Sequence, residues 1–255
     1  MATSGTKIAL VTGASRGLGL NTALALARHG SDVIGTYLSN EDEAASAVAA
    51  VEALGRKALM FQLDIGQVAS FPSFAEDLKQ ALAANWNRST FDYLVNNAGI
   101  GISAPFAETT EKDFDRLVSV NFKGVFFLTQ AMLPLLADGG RIVNLGAGLT
   151  RVSQPGYAAY AATKGAIEVL THYLAKELGP RGITANAIAP GAIVTDFEGG
   201  KVRDNKEIQG FVADITALGR TGVPDDVGPA IASLLSDDNR WINAQRIEVT
   251  GGMLP

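Results

Sequence analysis

The sequence predicts an α/β fold, a doubly wound parallel sheet of about seven strands flanked by helices on both faces. Three observations predict it. Short apolar runs alternate along the chain with longer runs rich in Ala, Leu, Glu and Lys. Most of the short runs are continuously apolar, which suits strands buried on both faces. No linker, low-complexity tract or repeat divides the 255 residues, so one domain over 1–255 is expected.

The elements follow in order. The first strand candidate, 7–12, runs straight into a glycine-rich turn and the helix candidate 18–29. Strand 32–37 is followed by helix 41–54, and Ser39 and Asn40 stand before its acidic start. Strand 57–62 leads to helix 68–84, strand 91–95 to helix 111–136, and strand 141–145 to helix 157–178. Strand 183–188, helix 225–235 and strand 246–249 complete the pattern. The helix candidates are rich in good helix formers, and crossovers of this length are right-handed. Residues 190–221 are the least regular, with Gly199, Gly200 and a charged stretch over 201–207. They read as an excursion from the same domain, a substrate lid.

Composition excludes several functions. Apolar residues make up 47 % of the chain, enough to bury a full core. There is no Cys, so there is no disulfide, no thiolate nucleophile and no Cys-ligated metal; the two histidines, His29 and His172, are far apart. No metal site is expected. The net charge of −5 argues against non-specific nucleic-acid binding. No run approaches the roughly 18 to 20 apolar residues that span a bilayer, and 8–11 is too short for a signal-peptide core. No membrane partner is therefore expected, and the expected location is the cytoplasm.

The turn after the first strand reads TGASRGLG, from Thr12 to Gly19. Strand, glycine turn and helix together make a dinucleotide site: glycines let a pyrophosphate approach, and the helix N-terminus offers free N–H groups and partial positive charge. The spacing is neither GxGxxG nor a Walker A loop. Further on stand Asn96-Asn97-Ala98-Gly99 after the fourth strand, Tyr160-x-x-x-Lys164 on a helix, and Pro190-Gly191 after the sixth strand.

With these four motifs in this order, the chain resembles the short-chain dehydrogenase/reductase family over nearly its whole length. It is similar to the branch of about 250 residues that holds 3-oxoacyl-carrier-protein reductases and ketoreductases, with a Rossmann-like fold. The resemblance implies that Gly13, Ser15, Arg16, Gly17, Leu18 and Gly19 surround the cofactor phosphates. Asp64 would bond the adenine, and Asn97, Ala98 and Gly99 would line the adenine-ribose side. Pro190, Gly191, Ile193 and Thr195 would meet the nicotinamide. Asn121 would hold a water that relays protons to Lys164.

The end of the second strand, Tyr37-Leu38-Ser39-Asn40, lacks the carboxylate that binds a ribose 2′-hydroxyl in NAD sites. Arg16 can pair with a 2′-phosphate, and Ser39 and Asn40 can add neutral bonds. NADP(H) is favoured over NAD(H), with Tyr37 at the same site. The acids at 41–43, one turn later, weaken the case.

Tyr160 and Lys164 share a helix face. A phenol has a pKa of about 10. A cation within about 4–6 Å is expected to lower it, so that Tyr160 gives a proton to a ketone oxygen as hydride reaches the carbon. Lys164 would also bind the nicotinamide ribose. Tyr157 lacks such a partner, since Ala161 stands at its i+4 position.

One position departs from the family. Its catalytic Ser stands thirteen residues before the Tyr, and here that position is Ala147, flanked by Gly146 and Gly148. Thr150 and Ser153 are the nearest hydroxyls. Loss of such a donor costs about 10² to 10³ in kcat, so an impaired or altered enzyme is expected. Three explanations are open: a deliberate Ser→Ala change, a pocket altered for a different substrate, or a natural variant whose chemistry is lost or changed.

The substrate walls are expected from Ile102, Leu149, Tyr157, Ala192 and Phe197, in a pocket with no basic cluster, suited to a neutral carbonyl compound or its alcohol. The alternatives are a cofactor-binding protein without carbonyl chemistry, a sensor or structural protein, and an enzyme that reduces C=N bonds. The segment 245–253 looks like the family's last strand and glycine turn, and the resemblance implies a homotetramer, or a dimer.

Overall fold

In the computed structural model, which describes residues 5–254, the first apolar run becomes β1 (Ile8–Val11), buried throughout. Ile8 and Leu10 enter one core and Ala9 and Val11 the other. This is the alternation of a strand lying between two helical layers. The chain continues through α1 (Gly17–Arg28), β2 (Asp32–Tyr37), α2 (Glu41–Glu52), β3 (Ala58–Gln62), α3 (Phe71–Trp86) and β4 (Phe91–Asn96). It goes on through α4 (Glu111–Val118), α5 (Val125–Met132), β5 (Leu136–Leu145), α6 (Ala158–Leu178) and β6 (Thr184–Pro190). Last come α7 (Lys201–Asp204), α8 (Lys206–Asp214), α9 (Pro224–Leu234) and β7 (Arg246–Val249).

The strands form one sheet in the order β3-β2-β1-β4-β5-β6-β7, and all pair in parallel. Helices α3, α5 and α6 bring Leu78, Leu128 and Ala175 to one face. Helices α1, α2 and α9 bring Leu26, Val51 and Ile231 to the other. The expected doubly wound fold is the one observed. Strand order reverses between β1 and β4, and ligands of such sheets bind in the crevice at the carboxyl ends of the strands there.

Two segments differ from the sequence reading. The single helix expected over 111–136 is broken twice. A π-helical turn, Ser119–Gly124, separates α4 from α5. Helix α5 then stops at Met132: Leu133 keeps helical backbone, but Pro134 has no amide hydrogen with which to continue the ladder. Leu136 instead pairs with Phe91 across the sheet, so β5 starts five residues before the expected 141. The charged stretch 201–207 is not irregular either, since it supplies α7 and the start of α8. Asn205 caps α8, accepting from the Glu207 and Ile208 amides.

Behind the crevice, β4 and β5 are also joined by side chains. Asn96 Nδ2 donates to Asn144 Oδ1 (2.8 Å) and Thr129 Oγ1 (2.9 Å). Asn144 Nδ2 donates to Thr171 Oγ1 on α6 at 2.9 Å. All four residues are buried, and buried polar groups of this kind are costly to orphan. Among the described residues, no helix is long and apolar enough to cross a membrane, and no group of three or more His, Cys, Asp or Glu side chains could hold a metal ion. Replacing Asn144→Ala is expected to lower the unfolding free energy by about 1–3 kcal/mol; urea unfolding measures it, and an unchanged midpoint would refute the network's role.

Candidate active site

The turn after β1 is shaped by what it must approach. Gly13 has a left-handed backbone (φ +64°), and a Cβ at Gly19 would lie 2.0 Å from the Gly13 carbonyl oxygen. No side chain larger than hydrogen fits at Gly19. The turn is tied to the end of β4. Thr12 Oγ1 accepts from the amides of Asn97 (3.0 Å) and Ala98 (2.9 Å). Asn97 Nδ2 donates to the carbonyls of Thr12 (2.8 Å) and Gly13 (3.2 Å). Asn97 therefore braces the turn from below as well as facing the crevice.

A cavity of about 1090 Å³ opens above this tie. Its wall includes every residue expected at the phosphates: Gly13, Ser15, Arg16, Gly17, Leu18 and Gly19. Tyr37, Asp64, Asn97, Ala98 and Gly99 continue the same wall. Asp64 Oδ1 accepts from the Gly66 amide (2.8 Å), which fixes its carboxylate at the rim. Pro190, Gly191, Ile193 and Thr195 line the side beyond β6. Ile102, Leu149, Tyr157, Ala192 and Phe197 line the end expected to take substrate. Leu63, Ile65, Val120, Gln154, Ile215 and Met253 also face it. The sequence reading missed them: Leu63 and Ile65 follow β3, Val120 lies in the π-helical turn, and Gln154, Ile215 and Met253 stand in connecting segments, none within a motif.

Three expected residues are not on this wall. Ser39 is exposed. Asn40 caps α2, its Oδ1 accepting from the Glu43 amide at 3.1 Å. Capping accounts for Asn40 without a ligand. Asn121 is fully buried inside the π-helical turn, and such single-turn π insertions often occur at functional sites. Its Oδ1 accepts from the Ile100 amide and its Nδ2 donates to the Ile100 carbonyl, both at 2.9 Å. A Cβ at Gly99 would lie 3.1 Å from Asn121 Oδ1 and 3.5 Å from Lys164 Nζ. Asn121 and Lys164 thus flank one small space above Gly99.

Tyr160 and Lys164 are brought together and buried on the inner face of α6. Lys164 Nζ lies 5.9 Å from the Tyr160 ring centre and donates to the Leu145 carbonyl at 2.8 Å. Burial lowers the Lys164 ammonium to about 8. The expectation that Lys164 would lower the Tyr160 phenol is corrected here. Burial raises it, and Glu198 and Tyr157 add to the rise. Desolvation of the phenolate is the largest cause and the Lys164 ammonium is not among the causes, so in the chain by itself Tyr160 is protonated at neutral pH.

Ala147 lies beside Tyr160 in a small apolar cluster with Leu117, edged by Ile100, Ile102, Leu149 and Tyr157. Neither Thr150 nor Ser153 reaches the cavity wall. Thr150 Oγ1 is turned to Glu168 Oε1 (2.6 Å). Arg246 donates to that carboxylate (2.6 Å) and to the Ala147 carbonyl (3.1 Å). The backbone at 147 is thus held from behind while its cavity side carries only a methyl group. On the rim, Arg16 is paired with Asp196, and its Nε is 3.9 Å from Glu43. The acidic first turn of α2 does reach Arg16, the residue expected to meet a 2′-phosphate.

Comparison with known proteins agrees with this geometry. The family model described as enoyl-(acyl carrier protein) reductase matches residues 13–254. An uncharacterised oxidoreductase of Methylorubrum extorquens is 38 % identical over 247 residues, covering 97 % of both chains. The structure of LugOII, a promiscuous reductase that catalyses keto-reduction at C1 during lugdunomycin biosynthesis, superposes with TM-score 0.92 at 39 % identity, covering 98 % of both chains. The angucycline C-6 ketoreductase LanV, solved with bound NADP, has TM-score 0.92 at 35 % identity, covering 97 % of this chain and 95 % of its own. The glycine turn, the buried Tyr160–Lys164 pair and these matches lead to one conclusion: the chain belongs to the short-chain dehydrogenase/reductase family.

Proposed function

We propose that this protein is an NADPH-dependent reductase of a neutral ketone, with Tyr160 as proton donor. The observation that carries the reading is the buried Tyr160–Lys164 pair at the wall of the cavity that the glycine cradle opens. The residues present fit a dinucleotide: glycine at 13 and 19 lets the turn pack closely on itself and on the end of β4, and that turn lines the cavity at the N-terminus of α1. Arg16 on that wall, and the absence of a carboxylate at Tyr37 and Leu38, favour a 2′-phosphate. The ketoreductase activities of LugOII and LanV, and the NADP in LanV, support the same assignment. Asp196 and Glu43 would have to give up Arg16 to the phosphate.

The cofactor, when bound, supplies hydride to the carbonyl carbon. The chain's own residues do the rest. Tyr160 holds the proton and delivers it to the ketone oxygen. Lys164 orients the nicotinamide ribose and the Leu145 carbonyl end of β5. Asn121 holds the space above Gly99 through which Lys164 can exchange protons. Ala147 offers no hydrogen bond to the developing alkoxide, so Tyr160 carries that charge alone among these groups. Residues 190–221 act as the substrate lid. Phe114 on α4, Phe126 and Phe127 on α5 and Tyr173 on α6 are exposed, and a second copy of the chain covers them in a dimer or tetramer.

NADPH consumption at 340 nm with a panel of activated ketones tests the reading. Ala147→Ser is expected to raise kcat/KM at least about tenfold, part of the 10² to 10³ that such a donor is worth. Equal rates for the two proteins would refute the impairment, and no consumption by either would refute the reductase reading. A pH series adds a second check. Lys164 is charged below about 8 and neutral above it, while Tyr160 stays protonated across this range. Ketone kcat/KM should therefore be level to about pH 7 and fall through pH 8; a rise continuing to pH 9 would contradict this role for Lys164. Light scattering should give a mass of two or four chains, reduced by Phe126→Glu; a monomer would remove the proposed assembly.

A further inference from the structure

The polar groups at the substrate end gather in one place, away from Ala147. Tyr157 Oη donates to Glu198 Oε2 at 2.9 Å. Lys201 Nζ donates to Tyr157 Oη at 2.9 Å and to Ser103 Oγ at 3.2 Å. Three segments meet here: the loop after β4, the N-terminus of α6, and the lid. All but Ser103 line the cavity.

The lid backbone is bent to make the meeting possible. Glu198 has φ +51°, a left-handed conformation uncommon for a residue with a side chain. Gly199 (φ +70°) and Gly200 (φ +83°) follow it in the same region. This run turns the chain so that Phe197, Glu198 and Lys201 all face the cavity. Gly101 makes room for them, since a Cβ there would lie 2.6 Å from both Glu198 Cγ and Phe197 Cε1. Strain of this kind persists where the surrounding structure holds it, and it clusters at sites of binding.

The neighbouring surfaces are aromatic. The Tyr157 ring meets Tyr160 edge-on, with centres 6.4 Å apart. The Phe197 ring lies 6.0 Å from Tyr160. A flat ring seated against Phe197 therefore comes next to the proton donor and within reach of Glu198 and Lys201.

We infer that Glu198, Lys201 and Tyr157 form a subsite for a phenolic hydroxyl, and that the substrate is a hydroxylated aryl ketone. This rests on the ketone-reductase reading above. A carboxylate that accepts and an ammonium that donates, on either side of one hydroxyl, match a group that both donates and accepts. A phenol is the more acidic hydroxyl, and its bond to a carboxylate is charge-assisted. Burial keeps the Tyr157 hydroxyl protonated and able to donate. Lys201 remains charged beside it. Tyr157 already satisfies both charges, so a substrate phenol joins or replaces an existing bond. Discrimination is then well below the 10⁴- to 10⁵-fold of sites left with orphaned groups.

The test uses 1-tetralone, its monohydroxy isomers on the aromatic ring, their methyl ethers and a hydroxymethyl analogue. The readout is the ratio of kcat/KM, hydroxylated over unsubstituted, for the native protein and for Glu198→Gln and Lys201→Met. NADPH fluorescence titration shows that each variant is folded. At least one phenol should exceed tetralone and its own methyl ether by about tenfold or more, and both variants should bring that ratio toward one. Equal losses on all ketones would mean that the cluster only latches the lid, and would overturn the proposal. So would an equal preference for the hydroxymethyl analogue, which would remove the phenol. If no ketone is reduced, the reductase reading fails by itself. Displacement titrations of the NADPH complex then decide the subsite: tighter binding of phenols than of ethers, lost in both variants, upholds it, and equal binding overturns it.

Discussion

The ends of β1 and β4 are tied by two side chains, and the cavity takes its form from that tie. Thr12 accepts from two consecutive amides beyond β4, while Asn97 reaches back to two carbonyls of the glycine turn. The backbone ladder between the two strands ends at Val11 and Val95, with the Thr12 amide donating to the Val95 carbonyl. Past that point the two side chains continue the tie, at the place where the crossovers diverge. Gly19 sits against the Gly13 carbonyl with no room for a methyl group. The N-terminus of α1, with its unpaired amides, is thereby held close to the end of β4. The Asn96–Asn144–Thr171 chain extends the same bracing one strand further, to β5 and to the helix that carries Tyr160 and Lys164.

The site that results is divided by polarity. On the β5 side, Ala147 and Leu149 make an apolar wall beside Tyr160, backed by Leu117 of α4. On the lid side stand Tyr157, Glu198 and Lys201. Between them, Tyr160 is buried deeply enough that its phenol stays protonated despite the ammonium on the next turn. Burial acts on the two partners in opposite senses, raising the phenol and lowering the ammonium, because in each case it penalises the charged form. A protonated phenol is the form that ketone reduction uses. Ketone reduction also agrees with the keto-reduction reported for LugOII.

Much of this was legible in the chain itself. Most of the seven strand runs were visible because buried parallel strands are continuously apolar, β7 (Arg-Ile-Glu-Val) alternating instead, and the glycine turn because only glycine permits its backbone. Pro134 is a readable stop for α5, yet Leu135 and Leu136 continue the apolar helical pattern and hid the early start of β5. The π-helical turn at Asn121 left no sequence mark, since 3.6-residue and wider turns share the same residue types. The charged stretch over 201–207 looked irregular because its helices are only four and nine residues long. Asn40 could be read as a ligand or a cap, and the Glu43 amide accounts for it as a cap.

By itself the sequence determined the sheet, the cradle, the identity of the Tyr160–Lys164 pair and the methyl side chain at Ala147. These are local facts: residue type at a strand end, or spacing along one helix. Tertiary structure alone decided the protonation of Tyr160, the pairing of Arg16 with Asp196 and Glu43, and the meeting of Tyr157 with Glu198 and Lys201. Each depends on charge and burial contributed by segments tens to hundreds of residues apart. Electrostatic energy follows distance in space and the solvent excluded between groups, and neither is written in the order of the residues.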